Sequence, residues 1–476
     1  MQLSILCPRL FSVYRRDRMC LKNLEEEREG CISNRTLREN SLQKQLAALK
    51  GFFGEEQKQR TKIFRKKKEM PLNIIGTALL DGTGKIPYYQ TIKKVAPYVL
   101  ATGAIKYWSR GPSNTWERKL HGKVYLVTGA TSQGMGTSVA YKMAELGAQL
   151  IILTREVDEW VTEWCEELRE KTKNELIFVE KCDLSNLWEI RKFATSWLDN
   201  SPPRRLDGVI VMSGDMEPWG IPKISLPQRR SSKDGLELQI ATNYVAIFHL
   251  LNLLQPSFKA QPPDRDVRII LATCWLQVVG DINIEDPLWQ NAKYKSALKF
   301  FASSKLQLGL SMMELQRRLT EDIKNQKTNG AERTGKNVTI TMVQPGTMRS
   351  NSLRRVISNG SVVLLIILYC ILLYPMLWLF TKSGRRGDQS FLYALMTPEL
   401  EEVNLKDTKV KYISDCSIVK FARKEFDDEE LQKKLFDNTE RDILQLEKKV
   451  AAKRNANKTG NQSSKKKSQN KSRKDD

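Results

Sequence analysis

Between His121 and Val343 short runs of β-branched and apolar residues alternate with stretches of helical period, and no other feature narrows the fold so sharply. Lys123 to Thr128 reads as a buried strand, Ser138 to Gly147 as a helix and Leu150 to Thr154 as a second strand. The alternation continues with a helix near Val157 to Thr172, strand Leu176 to Glu180, helix near Leu187 to Leu198 and strand Gly208 to Met212. Helix Gly235 to Leu254, strand Val267 to Ala272, helix Lys299 to Leu319 and strand Asn337 to Val343 complete it. Strands separated by helices pair in parallel through crossovers, which covers both faces of the sheet. The expected fold is therefore α/β, a doubly wound, Rossmann-like parallel sheet in a single main domain with disordered basic termini. No self-similar period of about twenty to fifty residues is present, which argues against a solenoid.

The turn after the first strand, Thr128-Gly129-Ala130-Thr131-Ser132-Gln133-Gly134-Met135-Gly136, opens the following helix. Glycines there let backbone N–H groups approach a pyrophosphate, whose charge then rests on the positive end of the helix. In this position a dinucleotide site is favoured over a merely structural turn.

The net charge of +23 invites a nucleic-acid reading until it is located. Residues 1 to 69 carry about +8 and residues 451 to 476 about +7, so the body is only modestly basic, and no nucleic-acid module is visible in it. Two histidines, His121 and His249, leave little for a histidine base, and no metal site is expected. The 8 cysteines form no CxxC pair and read as thiols of a reducing compartment. Residues 1 to 69 are expected to be a largely disordered extension. Its Arg-rich opening is compatible with a mitochondrial presequence, and its composition fits better an unstructured leader ahead of Met70. Residues 70 to 120, with short apolar runs broken by Gly and Pro, suit a membrane-proximal or docking segment. The main domain is placed at 121 to 425, a C-terminal helix at 426 to 450 and a disordered Lys/Asn/Ser-rich tail at 451 to 476.

Taken together, the motifs resemble the short-chain dehydrogenase/reductase family, in particular its retinol-dehydrogenase-like, membrane-associated branch. Beside the glycine turn, the likeness rests on Cys182-Asp183-Leu184-Ser185, Leu206-Asp207-Gly208-Val209-Ile210 leading into Ser213-Gly214, and Asp234-Gly235-Leu236-Glu237 through Asn243. Ser304-Lys305-Leu306, Pro345-Gly346-Thr347 and Tyr412-Ile413-Ser414-Asp415-Cys416 follow in family order, so the likeness spans residues 120 to 425. It implies a nicotinamide dinucleotide held by Gly129, Gly134, Gly136, Ser213, Gly214 and Lys305, with Asp183 and Leu184 at the adenine and Pro345, Gly346 and Thr347 at the nicotinamide. It also places Arg155, at the end of the second strand, against a 2′-phosphate. A guanidinium suits a phosphate monoester where an acidic side chain would suit the ribose hydroxyls of NAD, so NADP(H) is expected over NAD.

The same resemblance implies a catalytic Ser/Tyr/Lys/Asn set, and here the chain departs from it. Tyr-x-x-x-Lys corresponds to Phe301-Ala302-Ser303-Ser304-Lys305. Phe301 and Lys305 share a helix face, but the phenol that would pass the proton is missing. Losing a positioned acid/base costs about 10² to 10⁴ in rate. Tyr294 lies seven residues earlier and could replace it only if residues 291 to 298 fold back as a loop. The serine corresponds to Thr273 or Cys274, the asparagine to Asn243 and the lysine to Lys305. Two further departures are the four residues between Gly129 and Gly134, where the family spacing is three, and Val211-Met212-Ser213-Gly214 in place of Asn-Asn-Ala-Gly.

Val362 to Phe380 is an uncharged run of 19 residues, long enough to approach one hydrocarbon thickness as a helix. It falls between Pro345-Gly346-Thr347 and the closing strand around Val410 to Ile413, so a single pass would strand that closing element on the far side of the bilayer. A monotopic arrangement, with the run broken near Pro375 and lying in the interface, is favoured over a single pass and over a buried core helix. The sequence thus points to a membrane-associated oxidoreductase, intracellular at the endoplasmic reticulum or mitochondrion, acting with NADP(H) on an apolar carbonyl or alcohol. A nucleotide-binding or scaffolding relative silenced by Phe301 is the alternative. No specific nucleic acid is expected as partner.

Overall fold

The computed structural model describes residues 89–472 except 220–228, 263–264, 295, 329–337, 360 and 401–408. The extension expected at 1 to 69 lies outside the described residues. By its contacts the chain divides between Gly103 and Ala104, and every strand lies in the second unit. The first described element is helix α1 (Tyr89–Ser109), where the sequence suggested only short broken apolar runs.

Eight strands form one sheet in the order β3-β2-β1-β4-β5-β6-β7-β8: β1 (Val124–Thr128), β2 (Gln149–Thr154), β3 (Ile177–Lys181), β4 (Gly208–Val211), β5 (Val267–Ala272), β6 (Val338–Gln344), β7 (Lys411–Ser414) and β8 (Ser417–Val419). Strands β1 to β7 are parallel, and β8 adds an antiparallel hairpin edge that the sequence reading lacked. The order reverses at β1, which pairs with β2 on one side and β4 on the other. Strand ends on either side of such a reversal leave a crevice that suits a ligand. All residues of β1 and β4 are buried, as continuous apolar strands in a doubly covered sheet must be.

Helix α2 (Met135–Glu145) follows β1, α3 (Glu159–Thr172) follows β2 and α4 (Leu187–Leu198) follows β3. Asp158 caps α3 by accepting from Val161 N at 3.0 Å, and Asn186 caps α4. Helix α5 begins at Leu238–Ile240, widens into a π-turn at Ala241–Val245 and continues as Ala246–Leu253. Helix α6 (Ala297–Thr328) precedes β6. One core joins α4, α5 and α6 to a face of the sheet through Ile190, Tyr244, Phe248, Leu306 and Leu310; the other face carries α2 and a late helix through Val139, Met143 and Phe391. After β6 come α7 (Asn351–Ser358) and α8, the apolar run, helical from Val362–Leu364 through π-type turns at Leu365–Leu373 to Tyr374–Phe380. Its change of helix type falls at Tyr374 and Pro375, where the sequence suggested a break. Helix α9 (Gln389–Met396) is the late helix of the second core.

The last helix, α10 (Glu429–Ser472), runs past residue 450 into the stretch whose composition predicted disorder. That stretch has no proline, and a helix already anchored propagates at little further cost per residue. The anchor is specific. Phe436 packs on Phe248 at a centroid distance of 4.7 Å, Tyr244 Oη bonds Thr439 at 2.6 Å, and Glu447 takes hydrogen bonds from Arg191 Nε at 2.7 Å and His249 Nε2 at 3.1 Å. His249 is thus a structural residue.

Burial pushes the Glu447 carboxyl up, but the hydrogen bonds of Arg191 and His249 outweigh it and hold the group down at about 2. A carboxylate lowered on folding stabilises fully above its ordinary range near 4.5 and loses that contribution as pH falls toward 2. Glu447→Gln should cost about 2 kcal/mol at neutral pH in urea unfolding, with the gap to wild type closing as pH falls from about 4.5 toward 2.

Candidate functional site

Parallel strands all point their C-terminal ends to one edge, and the candidate residues gather there. Gly129 has φ 77°, and a Cβ on it would come within 2.5 Å of Ser213 N, so only glycine lets β1 turn this close beneath the chain leaving β4. Gly136 approaches Gly129 so tightly that a Cβ would sit 2.1 Å from its carbonyl oxygen. Gly134 has φ 117° and would meet nothing within 4 Å, which leaves that side of the turn open despite its extra residue. Thr128 Oγ1 and Ser213 Oγ are 2.9 Å apart, a hydroxyl link at the sheet edge where the family pattern carries amides. The first turn of α2 carries no acidic side chain. Asp388, from the segment after α8, accepts from Ser138 on this helix, and Gly384 packs against Gly134, so a diphosphate would be met by the backbone N–H groups of the Gly129 to Gly134 turn itself.

At the end of β2 Arg155 is 64% exposed and only loosely paired with Asp183, at 3.7 Å. Asp183 is buried and accepts from Ser185 N at 2.9 Å and Lys233 Nζ at 2.9 Å. Burial raises its pKa, and the bonds from Lys233 and Ser185 more than reverse that. Leu184 packs against the first core, so its side chain is a wall rather than a free contact. Lys233 went unnoticed in the sequence because it meets Asp183 only through the tertiary fold.

The π-turn in α5 centres on Asn243, which is fully buried. Its side chain clamps the loop after β4: Nδ2 donates to Asp215 O at 2.7 Å, and Asp215 N donates to Oδ1 at 2.7 Å. Lys305 is buried on α6, and its Nζ donates to Ala272 O at 3.2 Å. A Cβ on Gly214 would lie 3.3 Å from Lys305 Nζ and 3.7 Å from Asn243 Oδ1, which brings three of the predicted residues together. Burial pulls the Lys305 ammonium down, with Cys274 acting in the opposite sense. Burial pushes the Cys274 thiol up, and Lys305 pulls it back. Each acts on the charge of the other, which puts Cys274 within electrostatic reach of the lysine. Thr273 turns away and donates to Gln277 Oε1 at 2.9 Å, a partner that sequence alone did not single out.

Phe301 is buried one turn before Lys305 and offers no hydroxyl. Tyr294 does lie outside the helix, as its proposed role required, but it packs on Phe300 at 4.8 Å. Its buried hydroxyl has no hydrogen-bond partner among the described residues, and burial first, then Glu237 and Glu217, push its pKa up.

Pro345 is buried, Gly346 has φ 83° and Thr347 is exposed. Thr347 O accepts from Lys382 N at 2.9 Å, and Arg349 N donates to Lys382 O at 3.2 Å, so the chain leaving α8 is bonded to the loop after β6. Arg355 on α7 pairs with Asp215 and donates to Met216 O at 2.6 Å, fastening the helix over the loop that Asn243 holds from below. None of these clasps has a local sequence signal. Among the described residues no group of three or more His, Cys, Asp or Glu is arranged to hold a metal ion.

A family model described as short chain dehydrogenase matches residues 123–271. An uncharacterized oxidoreductase of Saccharomyces cerevisiae is 99% identical over 407 residues, 86% of this chain and 100% of that protein. An uncharacterized oxidoreductase of Schizosaccharomyces pombe is 37% identical over 392 residues, 81% of this chain and 98% of that one. Retinol dehydrogenase 14 of Homo sapiens is 30% identical over 334 residues, 67% of this chain and 86% of that protein.

Because Gly129 combines a left-handed φ with backbone contact on its Cβ side, Gly129→Ala should destabilise by more than about 1 kcal/mol. Gly134→Ala, strained in φ but open in space, should destabilise less. Urea unfolding of the two variants beside wild type checks the order.

Proposed function

The chain belongs to the short-chain dehydrogenase family of oxidoreductases, and from that premise we propose that it is a membrane-associated, NADP(H)-dependent enzyme acting on an apolar carbonyl or alcohol. The observation that carries the reading is the convergence of Lys305, Asn243 and Gly214 at the strand ends beside the glycine turn. The nicotinamide cofactor that the family binds supplies or accepts the hydride. Gly129, Gly134 and Gly136 would hold its diphosphate, Ser213, Gly214 and Lys305 its ribose, Asp183 and Leu184 its adenine, and Pro345, Gly346 and Thr347 its nicotinamide.

NADP(H) is favoured over NAD by charge. Arg155 and Lys233 stand on either side of Asp183, and the exposed guanidinium of Arg155, held only at 3.7 Å by Asp183, could take a phosphate monoester. An apolar substrate is favoured by α8, whose exposed apolar surface adjoins the loop after β6, and by the retinoid-acting relative. Without a phenol at position 301, Lys305 is the group placed to pass a proton. Burial holds its ammonium below the ordinary lysine range and so nearer to neutral pH. The Cys274 thiol, kept neutral by burial, would donate a weak hydrogen bond to a substrate oxygen. Asn243 positions the loop carrying Gly214 and Asp215.

Phe301 also favours a second reading, a catalytically silent relative that binds nucleotide on a membrane. Turnover of NADPH with a long-chain aldehyde separates the two. The first reading expects measurable wild-type kcat, abolished by Lys305→Met and raised about 10² to 10⁴-fold by Phe301→Tyr. A silent wild type awakened by Phe301→Tyr supports the second, and turnover untouched by Lys305→Met contradicts the first. Arg155→Ala should lower the preference for NADPH over NADH about 10- to 100-fold, as loss of one charged hydrogen bond predicts.

A further inference from the structure

The apolar helix α8 is 19 residues long and only 6% buried, yet three features are incompatible with its crossing a bilayer. Tyr369, two residues before its midpoint, is 4% exposed and packs on Arg354 of α7, whose guanidinium lies 5.6 Å from the ring centroid. In a spanning helix that arginine would sit near the centre of the hydrocarbon, where a charge is costly. Both flanks are also fastened to the same body, Arg355 to Asp215 and Met216 before the run and Lys382 to Thr347 after it. Beyond Lys382 the chain re-enters the same sheet as β7.

The rest of α8 faces outward. Val362, Ile371, Leu372 and Met376 are 60–69% exposed. At its C-terminal end the exposed aromatics Tyr107, Trp108, Trp378 and Phe380 gather with cations. Lys106 Nζ donates to Trp378 O and Thr381 O and stands 5.2 Å from the Trp378 ring, and Ser109 Oγ donates to Leu379 O at 2.7 Å. Arg349 and Arg110 are near enough to act on Lys106, whose pKa is lowered first by burial and then by these two charges. Among the described residues none of the three is in an ion pair. Aromatics and unneutralised cations bordering an apolar face match the order of layers in a membrane interface.

We infer that α8 lies within one leaflet, along the plane of the membrane, and that Lys106, Arg110 and Arg349 form a collar for the headgroups of acidic phospholipids. The inference rests on the membrane association proposed above and fixes its mode. The body then stays on one side, with the loop that follows β6 held at the lipid surface.

Two measurements on the full-length chain test it. In flotation with vesicles of phosphatidylcholine, alone or with phosphatidylserine, wild type should bind both and prefer the acidic ones. The triple variant Lys106→Gln, Arg110→Gln, Arg349→Gln should keep the first and lose the preference by about 10²-fold at low salt, at roughly tenfold or less per charge. Ile367→Asp with Ile371→Asp should abolish both. In sealed microsomes, cysteines introduced by Ser361→Cys and Arg385→Cys should both react with an impermeant maleimide from the same side. Wild type that binds no vesicle removes the membrane reading itself. Binding with labels on opposite sides overturns the one-leaflet arrangement alone, and an unchanged acidic preference in the triple variant overturns the collar.

Discussion

Parallel pairing of β1 through β7 directs seven strand ends to one edge, and everything proposed for this protein depends on that constraint. It puts the glycine turn, Arg155, Asp183, Ser213, Cys274 and Pro345 at one edge of the sheet although they span more than two hundred residues of chain. The strand order reverses at β1, and the left-handed Gly129 lets the chain pass close beneath Ser213 there. Because the same edge receives the chain again after α8, it also decides where the apolar helix can go.

The proposed reaction centre has its supports in place, while position 301 lacks the phenol that the family resemblance implies. Asn243 in its π-turn, Lys305 against Ala272 O and the Arg355 fastening of the loop after β4 form a connected frame. Phe301 fills the place of a phenol within it. Loss of the hydroxyl removes one proton donor and leaves the packing intact, which is why fold and chemistry part company in this chain. The thiol of Cys274 and the amine of Lys305 act on one another's ionisation, and in the proposed reaction a proton would pass through that pair or through water.

The strand and helix alternation was legible in the residues because a doubly covered parallel sheet demands continuous apolar strands, and β1 to β6 fall within a few residues of their expected positions. The spacing from Phe301 to Lys305 likewise reads directly from helical period. What stayed hidden depends on partners far away in sequence. Lys233 on Asp183, Lys382 on Thr347 and Arg355 on Asp215 join segments with no local signature. Thr273 and Cys274 could not be separated until the turn after β5 pointed one toward Gln277 and left the other near Lys305. The anchoring of α10 by Phe436, Thr439 and Glu447 was likewise hidden, because it is tertiary.

The central claim is that the edge beneath Gly129 receives a phosphorylated nicotinamide dinucleotide. Calorimetric titration of the full-length protein in detergent with NADPH and with NADH tests it most directly. Saturable binding of one equivalent, tighter for NADPH and weakened when Lys305 is replaced, is the predicted result. Heat indistinguishable from dilution for both nucleotides would contradict the account and leave a fold without its cofactor.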